Sequence, residues 1–151
     1  CCRCVTGFFN YLTNRTYSCA FKPVVGNERE NKFGFPATSP KKVVVVGGGP
    51  GGMEAAITAA KRGHSVTLYE KNSRLGGQLL SEEHIPFKAD MFQFVKVLER
   101  RLHKAGVTVK LNTELTAEQL EDWLCESVLP NHTDNVNNNK CIKAIRKLRE
   151  N

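Results

Sequence analysis

Residues 41–56 read Lys41-Lys42-Val43-Val44-Val45-Val46-Gly47-Gly48-Gly49-Pro50-Gly51-Gly52-Met53-Glu54-Ala55-Ala56. The β-branched run Val43–Val46 has no polar alternation, as in a parallel strand buried on both faces. The glycine cluster that follows satisfies G-x-G-x-x-G through Gly47, Gly49 and Gly52, and the Ala-rich stretch Met53–Arg62 predicts a helix. Alone that glycine pattern is weak. Between a strand and a helix it has a physical meaning. Gly47 allows the tight turn, Gly49 lets a pyrophosphate approach the backbone, and Gly52 lets helix and strand pack closely. The helix N-terminus then offers unpaired N–H groups and a partial positive charge to phosphate.

Working downstream, Gly63 suits the helix stop, and Ser65–Glu70 alternates with Val66 and Leu68 on one face, which predicts a second strand. Glu70 closes that strand 23 residues after Gly47. Its carboxylate is placed to accept hydrogen bonds from an adenosine ribose, and an acid there disfavours a 2′-phosphate, so FAD or NAD is preferred over NADP. Lys88–Lys104 puts Met91, Val95, Leu98 and Leu102 on one helical face, with Gly106 as its stop. Val107, Val109 and Leu111 alternate with polar residues as a third strand, and Thr116 with Gln119 forms a capping-box pattern for a further helix. Strand–helix–strand–helix–strand means a parallel sheet with right-handed crossovers, hence an α/β fold of partial Rossmann type. From Leu124 onward there is no further apolar strand and no second glycine fingerprint, so one mononucleotide half is present and the other is missing.

Composition bounds the rest. With 151 residues, 40% hydrophobic and 25% charged, the chain has ordinary globular usage and about one domain's length. Its longest apolar run, Val43–Val46, is far below the roughly 20 residues of a membrane span, and a secretory signal is not expected from the opening residues. Net charge is +7, but residues 41–139 hold twelve bases and twelve acids, while residues 1–40 carry +3 and residues 140–151 carry +4. The excess sits at the two ends, away from the nucleotide signature, and gives no case for a nucleic-acid partner. Three zones follow: a Cys-rich segment and linker over 1–40, half of a dinucleotide-binding domain over 41–123, and a divergent polar and basic tail over 124–151. The first residue is Cys1, so the chain is expected to be processed or to be a piece of a longer one.

Cys1, Cys2, Cys4 and Cys19 crowd the N-terminal zone beside a domain of cytoplasmic type, where metal or iron–sulfur ligation is commoner than disulfides. Cys1-x-x-Cys4, then Cys19-Ala20-Phe21-Lys22-Pro23-Val24-Val25-Gly26-Asn27-Glu28, then the linker into KKVVVVGGGPGGMEAA and YEKNSRLGGQL, resembles one known arrangement. It is similar to the junction in the 2,4-dienoyl-CoA reductase / trimethylamine dehydrogenase group of NADH:flavin oxidoreductases, over roughly residues 1–122. The glycine segments alone are shared by many flavoproteins, and the cysteine segment makes the likeness specific.

The resemblance implies FAD as the dinucleotide, because Arg74-Leu75-Gly76-Gly77-Gln78 looks like the second glycine signature that lies beside the pyrophosphate and ribityl chain. It implies a cofactor-binding set of Gly47, Gly49, Pro50, Gly51, Gly52, Glu70, Lys71, Arg74, Gly77, Gln78 and, by position after the third strand, Leu115. It also implies a parent enzyme in which NAD(P)H reduces FAD, a four-iron–four-sulfur (4Fe-4S) cluster passes electrons singly, and FMN in a barrel domain reduces an enoyl-type substrate. The chain's partners would then be its nucleotide and the parent's missing barrel and NAD(P)H domains, and the isolated chain is expected to be inactive.

Three departures stand against the family pattern. Aligning Cys1 and Cys4 puts Phe8 at the third cluster-ligand position, so the matching metal ligands are Cys1, Cys4 and Cys19. The second half of the FAD domain is missing, and Gly51 stands where Ala is usual. The cysteines therefore keep three readings open: a 4Fe-4S cluster, a zinc site that includes Cys2, or reduced thiols. The alternatives for the whole chain are an NAD-binding enzyme domain and a non-catalytic nucleotide- or metal-binding remnant that acts as an interaction module.

Overall fold

The structure, a computed structural model, describes residues 9, 10, 12, 13, 19, 21, 22, 24–26, 28, 35–120 and 123. They fall in two compact units, Cys1–Thr113 and Glu114–Asn151. The tail expected over 124–151 lies outside the described residues, as do Cys1, Cys2, Cys4 and Phe8.

The first unit alternates strand and helix: β1 (Lys42–Val46), α1 (Pro50–Lys61), β2 (Ser65–Tyr69), α2 (Ala89–Lys104) and β3 (Thr108–Lys110). Two 3₁₀ segments, Gly77–Glu82 and Pro86–Lys88, fill the crossover between β2 and α2. Neither is expected from the sequence, because short 3₁₀ turns carry no hydrophobic period. Helix α1 starts at Pro50 rather than Met53. Proline's fixed φ suits the first helical turn, and its missing N–H costs nothing there. Gly63 (φ +94°) and Gly106 (φ +73°) end the two helices in the left-handed region, as the sequence predicts.

All three strands are parallel, in the order β1-β2-β3, with Val45 opposite Leu68 and Leu68 opposite Val109. Both crossovers step the same way across the sheet, so right-handed connections put both helices on one face. The core bears this out. Met53, Ala56 and Ile57 of α1 and Val95, Leu98 and Leu102 of α2 pack with Val66 and Leu68 of β2. Val43, Val45 and Val109 close on the same cluster. Each fully buried Leu, Ile, Val or Met contributes roughly 1.5–3 kcal/mol of transfer free energy.

The expectation that Val43–Val46 is buried on both faces is corrected here. Strand β1 is half-buried, and Val46, on the face without helices, is 53% exposed. The unbroken valine run reflects β-branched propensity as well as burial. Val44, Thr67 and Tyr69, on that second face, are partly buried.

Two contacts stiffen the layer. The Arg101 guanidinium donates to both carboxylate oxygens of Glu54 at 2.7 and 2.8 Å, tying α2 to α1. Phe21, from the Cys-rich zone, stacks on Phe94 of α2 with centroids 4.0 Å apart and planes within 3°. In the second unit the capping box forms as expected: the Thr116 N–H donates to Gln119 Oε1 at 3.0 Å, and the Gln119 N–H donates to Thr116 Oγ1 at 3.3 Å. No helix among the described residues is long and apolar enough to cross a membrane.

Candidate nucleotide site

The site grows from the turn that leaves β1. Gly47 has φ +99°, a conformation an L side chain rarely takes, and its N–H donates to Tyr69 O at 2.8 Å, so the turn stays in register with β2. Gly49 caps α1 and its carbonyl accepts the Met53 N–H at 2.9 Å. Gly52 lies so close to the turn that a Cβ there would collide with the Gly47 carbonyl oxygen. Positions 49 and 51 face open space, with nothing within 4 Å of where a Cβ would stand. Turn, open approach and close packing are the roles expected of these glycines. Gly51, where Ala is usual, has room for the methyl.

Gly48 has a part that the glycine pattern does not assign. It is buried, and a Cβ there would collide with Leu75 Cδ2 and lie 3.0 Å from Glu70 Oε2. Its N–H donates to Glu70 Oε2 at 2.6 Å, and its carbonyl accepts the Gly76 N–H at 2.8 Å. A Cβ on Gly77 would stand 3.1 Å from Gly49 Cα. The second glycine segment is thus laid against the first, and Gly77, with φ +53° and this close approach, is the position in the contact that favours glycine most.

Glu70 sits one residue beyond β2 and is only 5% exposed. Besides Gly48 it engages Asn72, whose backbone N–H and side-chain Nδ2 both donate to Oε1 at 2.8 Å. Burial pushes the carboxyl up, but the hydrogen bonds from Asn72 and Gly48 and the nearby Lys71 charge outweigh it and hold the group below its ordinary value. It is therefore a carboxylate at neutral pH. A carboxylate offers about four lone-pair sites, and three are filled from within the chain. The fourth takes no hydrogen bond from the described residues.

The remaining expected residues are placed differently. Pro50 is the first residue of α1. Lys71 and Gln78 are exposed, the latter at the start of the first 3₁₀ segment. The Arg74 guanidinium is held by Glu83 at 3.1–3.3 Å and lies 5.9 Å from the Phe92 ring centroid. Leu115 belongs to the second compact unit. Cys19 is a half-buried free thiol, and among the described residues no group of His, Cys, Asp or Glu is arranged to hold a metal. Asn72, Gly48, Leu75 and Gly76 are the site residues that the sequence reading leaves out. Gly76 stood in the quoted RLGGQ text, which was the available signal for it.

This geometry defines a class: a parallel α/β mononucleotide unit with two glycine segments meeting at the strand ends, beside an ionised acid. The match to the FAD dependent oxidoreductase family model runs over residues 42–100, from the start of β1 into α2. An NADH oxidase of Thermoanaerobacter brockii is 46% identical over 117 residues, 78% of this chain and 18% of that protein. A cinnamate reductase of Clostridium sporogenes is 43% identical over 131 residues, 85% of this chain and 19% of that protein. The solved structure of a 2-naphthoyl-CoA reductase in complex with 2-naphthoyl-CoA superposes with a TM-score of 0.75 at 37% identity, covering 81% of this chain and 19% of that one. By these likenesses the chain resembles a fragment of the 2,4-dienoyl-CoA reductase-like NADH:flavin oxidoreductases. It spans about one fifth of the length of these relatives.

Proposed function

We propose that this chain binds FAD and forms part of the flavin-binding domain of a longer NAD(P)H-dependent oxidoreductase. The observation that carries the reading is the docking of Gly76-Gly77 on Gly48-Gly49 beside Glu70. This makes one continuous backbone surface where a dinucleotide's pyrophosphate and adenosine ribose meet. The open positions 49 and 51 leave room for phosphate at the start of α1, whose first turn holds no acidic residue to repel it. Glu70 would receive a ribose hydroxyl and repel a 2′-phosphate.

FAD, when bound, supplies hydride acceptance and electron transfer, for which no side chain here is suited. The chain's own share is to hold the pyrophosphate on backbone N–H groups, orient the ribose on Glu70 and keep that carboxylate charged. The finer reading is an electron path from NAD(P)H through FAD and an iron–sulfur cluster to FMN and an enoyl-type substrate. It is supported by relatives named as reductases of cinnamate and of 2-naphthoyl-CoA. The family's four-cysteine set does not fit this sequence at Phe8, so no step is assigned to a cluster held by this chain.

Titrating the folded chain with FAD, with NADH as the comparison, tests the reading through the rise in melting temperature that a native-state ligand produces. FAD should raise the melting temperature more than NADH at equal concentration. The reverse order would assign the loop to a nicotinamide dinucleotide.

A further inference from the structure

Asn72 lies outside both glycine segments, yet it makes two of the three hydrogen bonds that fix Glu70. Its backbone N–H and its Nδ2 converge on one oxygen, Oε1, each at 2.8 Å. Gly48 takes the other, Oε2, at 2.6 Å. Two donors on Oε1 occupy its lone pairs, so the free acceptor site of the carboxylate is on Oε2, the oxygen that faces the glycine loop. Asn72 is itself anchored. Its carbonyl accepts the Asn112 N–H at 3.0 Å where the chain leaves β3, and the Thr113 N–H donates to Glu70 O at 2.9 Å. The Asn72 side chain is exposed and no part of the core, so removing it empties no cavity.

We infer that Asn72 is a positioning residue: by occupying Oε1 of Glu70, its amide presents Oε2 to the nucleotide ribose and so sets both affinity and preference for an unphosphorylated ribose. This rests on the proposal that the site takes an adenine dinucleotide. Without the amide, Oε1 keeps only the Asn72 backbone N–H, the carboxylate is oriented by two donors instead of three, and the ribose contact and the discrimination weaken together.

Few charges complicate a pH test. Lys71 follows Glu70 in sequence and acts on it, and the Lys110 ammonium lies over the Tyr69 ring at 5.2 Å. Lys110 also accepts the Glu70 N–H through its backbone carbonyl at 2.9 Å, and the other residues bonded to Glu70, Gly48 and Thr113, carry no charge.

The full chain, Asn72→Ala and Asn72→Asp are titrated with FAD, with ADP and with ADP carrying a 2′-phosphate, after circular dichroism shows each to be folded. In Asn72→Ala, FAD and ADP affinity should fall together by about tenfold, as the carboxylate loses one of the two donors that orient Oε1. The ratio of affinities for ADP and its 2′-phosphate should narrow. Asn72→Asp is nearly isosteric and keeps the fold should the alanine variant fail. Its introduced carboxylate faces Glu70 with like charge at neutral pH and becomes a donor once protonated. FAD affinity of that variant should therefore rise as pH falls from 8 to about 5.5, while the parent chain stays flat. A role in packing alone would not create this pH dependence. Parent-like FAD affinity and discrimination in both variants would overturn the role of Asn72. Failure of the parent chain to bind either FAD or ADP would instead overturn the site on which it rests.

Discussion

The backbone N–H of Gly48 donates to Glu70 Oε2 at 2.6 Å, joining the turn after β1 to the end of β2 inside the protein. An acid expected to face a ligand is thus also the internal brace of the glycine loop. The two roles share one carboxylate because it has more acceptor sites than the loop needs.

Removing that brace should destabilise the fold before any ligand is considered. Glu70→Ala leaves the buried Gly48 N–H without an acceptor, at a cost of about 1–3 kcal/mol. Urea unfolding should show the lowered midpoint with an unchanged slope. An unaltered midpoint would mean that solvent replaces the carboxylate and that Gly48 is less enclosed than its contacts indicate.

The same carboxylate gives the stability a defined pH dependence. Its folded value lies below the ordinary 4.5, so the stabilisation is complete above about 4.5 and is lost as pH falls through the folded value. Glu83, held low chiefly by its bond to Arg74, acts with the same sign, but the pair is at the surface, with Arg74 exposed, and adds little. Comparing the parent with Glu70→Gln across pH 7 to about pH 3 isolates the Glu70 part. The parent should lose more stability on acidification than the variant, and parallel curves would sink the assignment.

Two glycines in one loop should respond oppositely to alanine. At position 48 a methyl meets Leu75 and Glu70, so Gly48→Ala should cost about 1–3 kcal/mol and weaken FAD binding. At position 51 there is open space in the first turn of a helix, and Gly51→Ala should be neutral or stabilising by up to about 1 kcal/mol. Thermal unfolding of the pair decides the point, and equal losses at both positions would refute the packing difference.

What the sequence makes legible is what periodicity and named glycines report. Val66 and Leu68, Val95, Leu98 and Leu102 announce the core by their spacing, and Gly47 and Gly52 announce the turn and the close approach. Gly48 is silent because the pattern treats its position as any residue. Asn72 is silent because its role depends on how the chain bends between Lys71 and Leu75 and on one side-chain rotamer, neither of which has a sequence period. Arg74 is legible as a cation, but its partner Glu83 is fixed only once the first 3₁₀ segment has formed. The valine run of β1 overstated burial, since propensity and burial leave the same trace there.

The cysteine zone yields a prediction from ligand chemistry alone. Anaerobic treatment with iron and sulfide should load the parent chain poorly, and Phe8→Cys, which restores the third family ligand, should increase bound iron and the broad visible absorption of thiolate-ligated clusters. Equal loading of the two would show that Cys2 or an external ligand already completes the set.

On the proposal that this chain is one part of a longer oxidoreductase, catalysis needs the rest of that protein. The chain alone, even with FAD bound, is expected not to oxidise NADH with an enoyl acceptor. NADH absorbance followed over time checks this, and sustained turnover would contradict the assignment of this chain as one part of the enzyme.

The most direct test of the central claim is an equilibrium titration of the folded 151-residue chain with FAD, followed by flavin fluorescence. Saturable binding of one FAD per chain, displaced by ADP and far less by its 2′-phosphate, is the expected result. A folded chain that takes up neither FAD nor ADP at high micromolar concentration would contradict the nucleotide site.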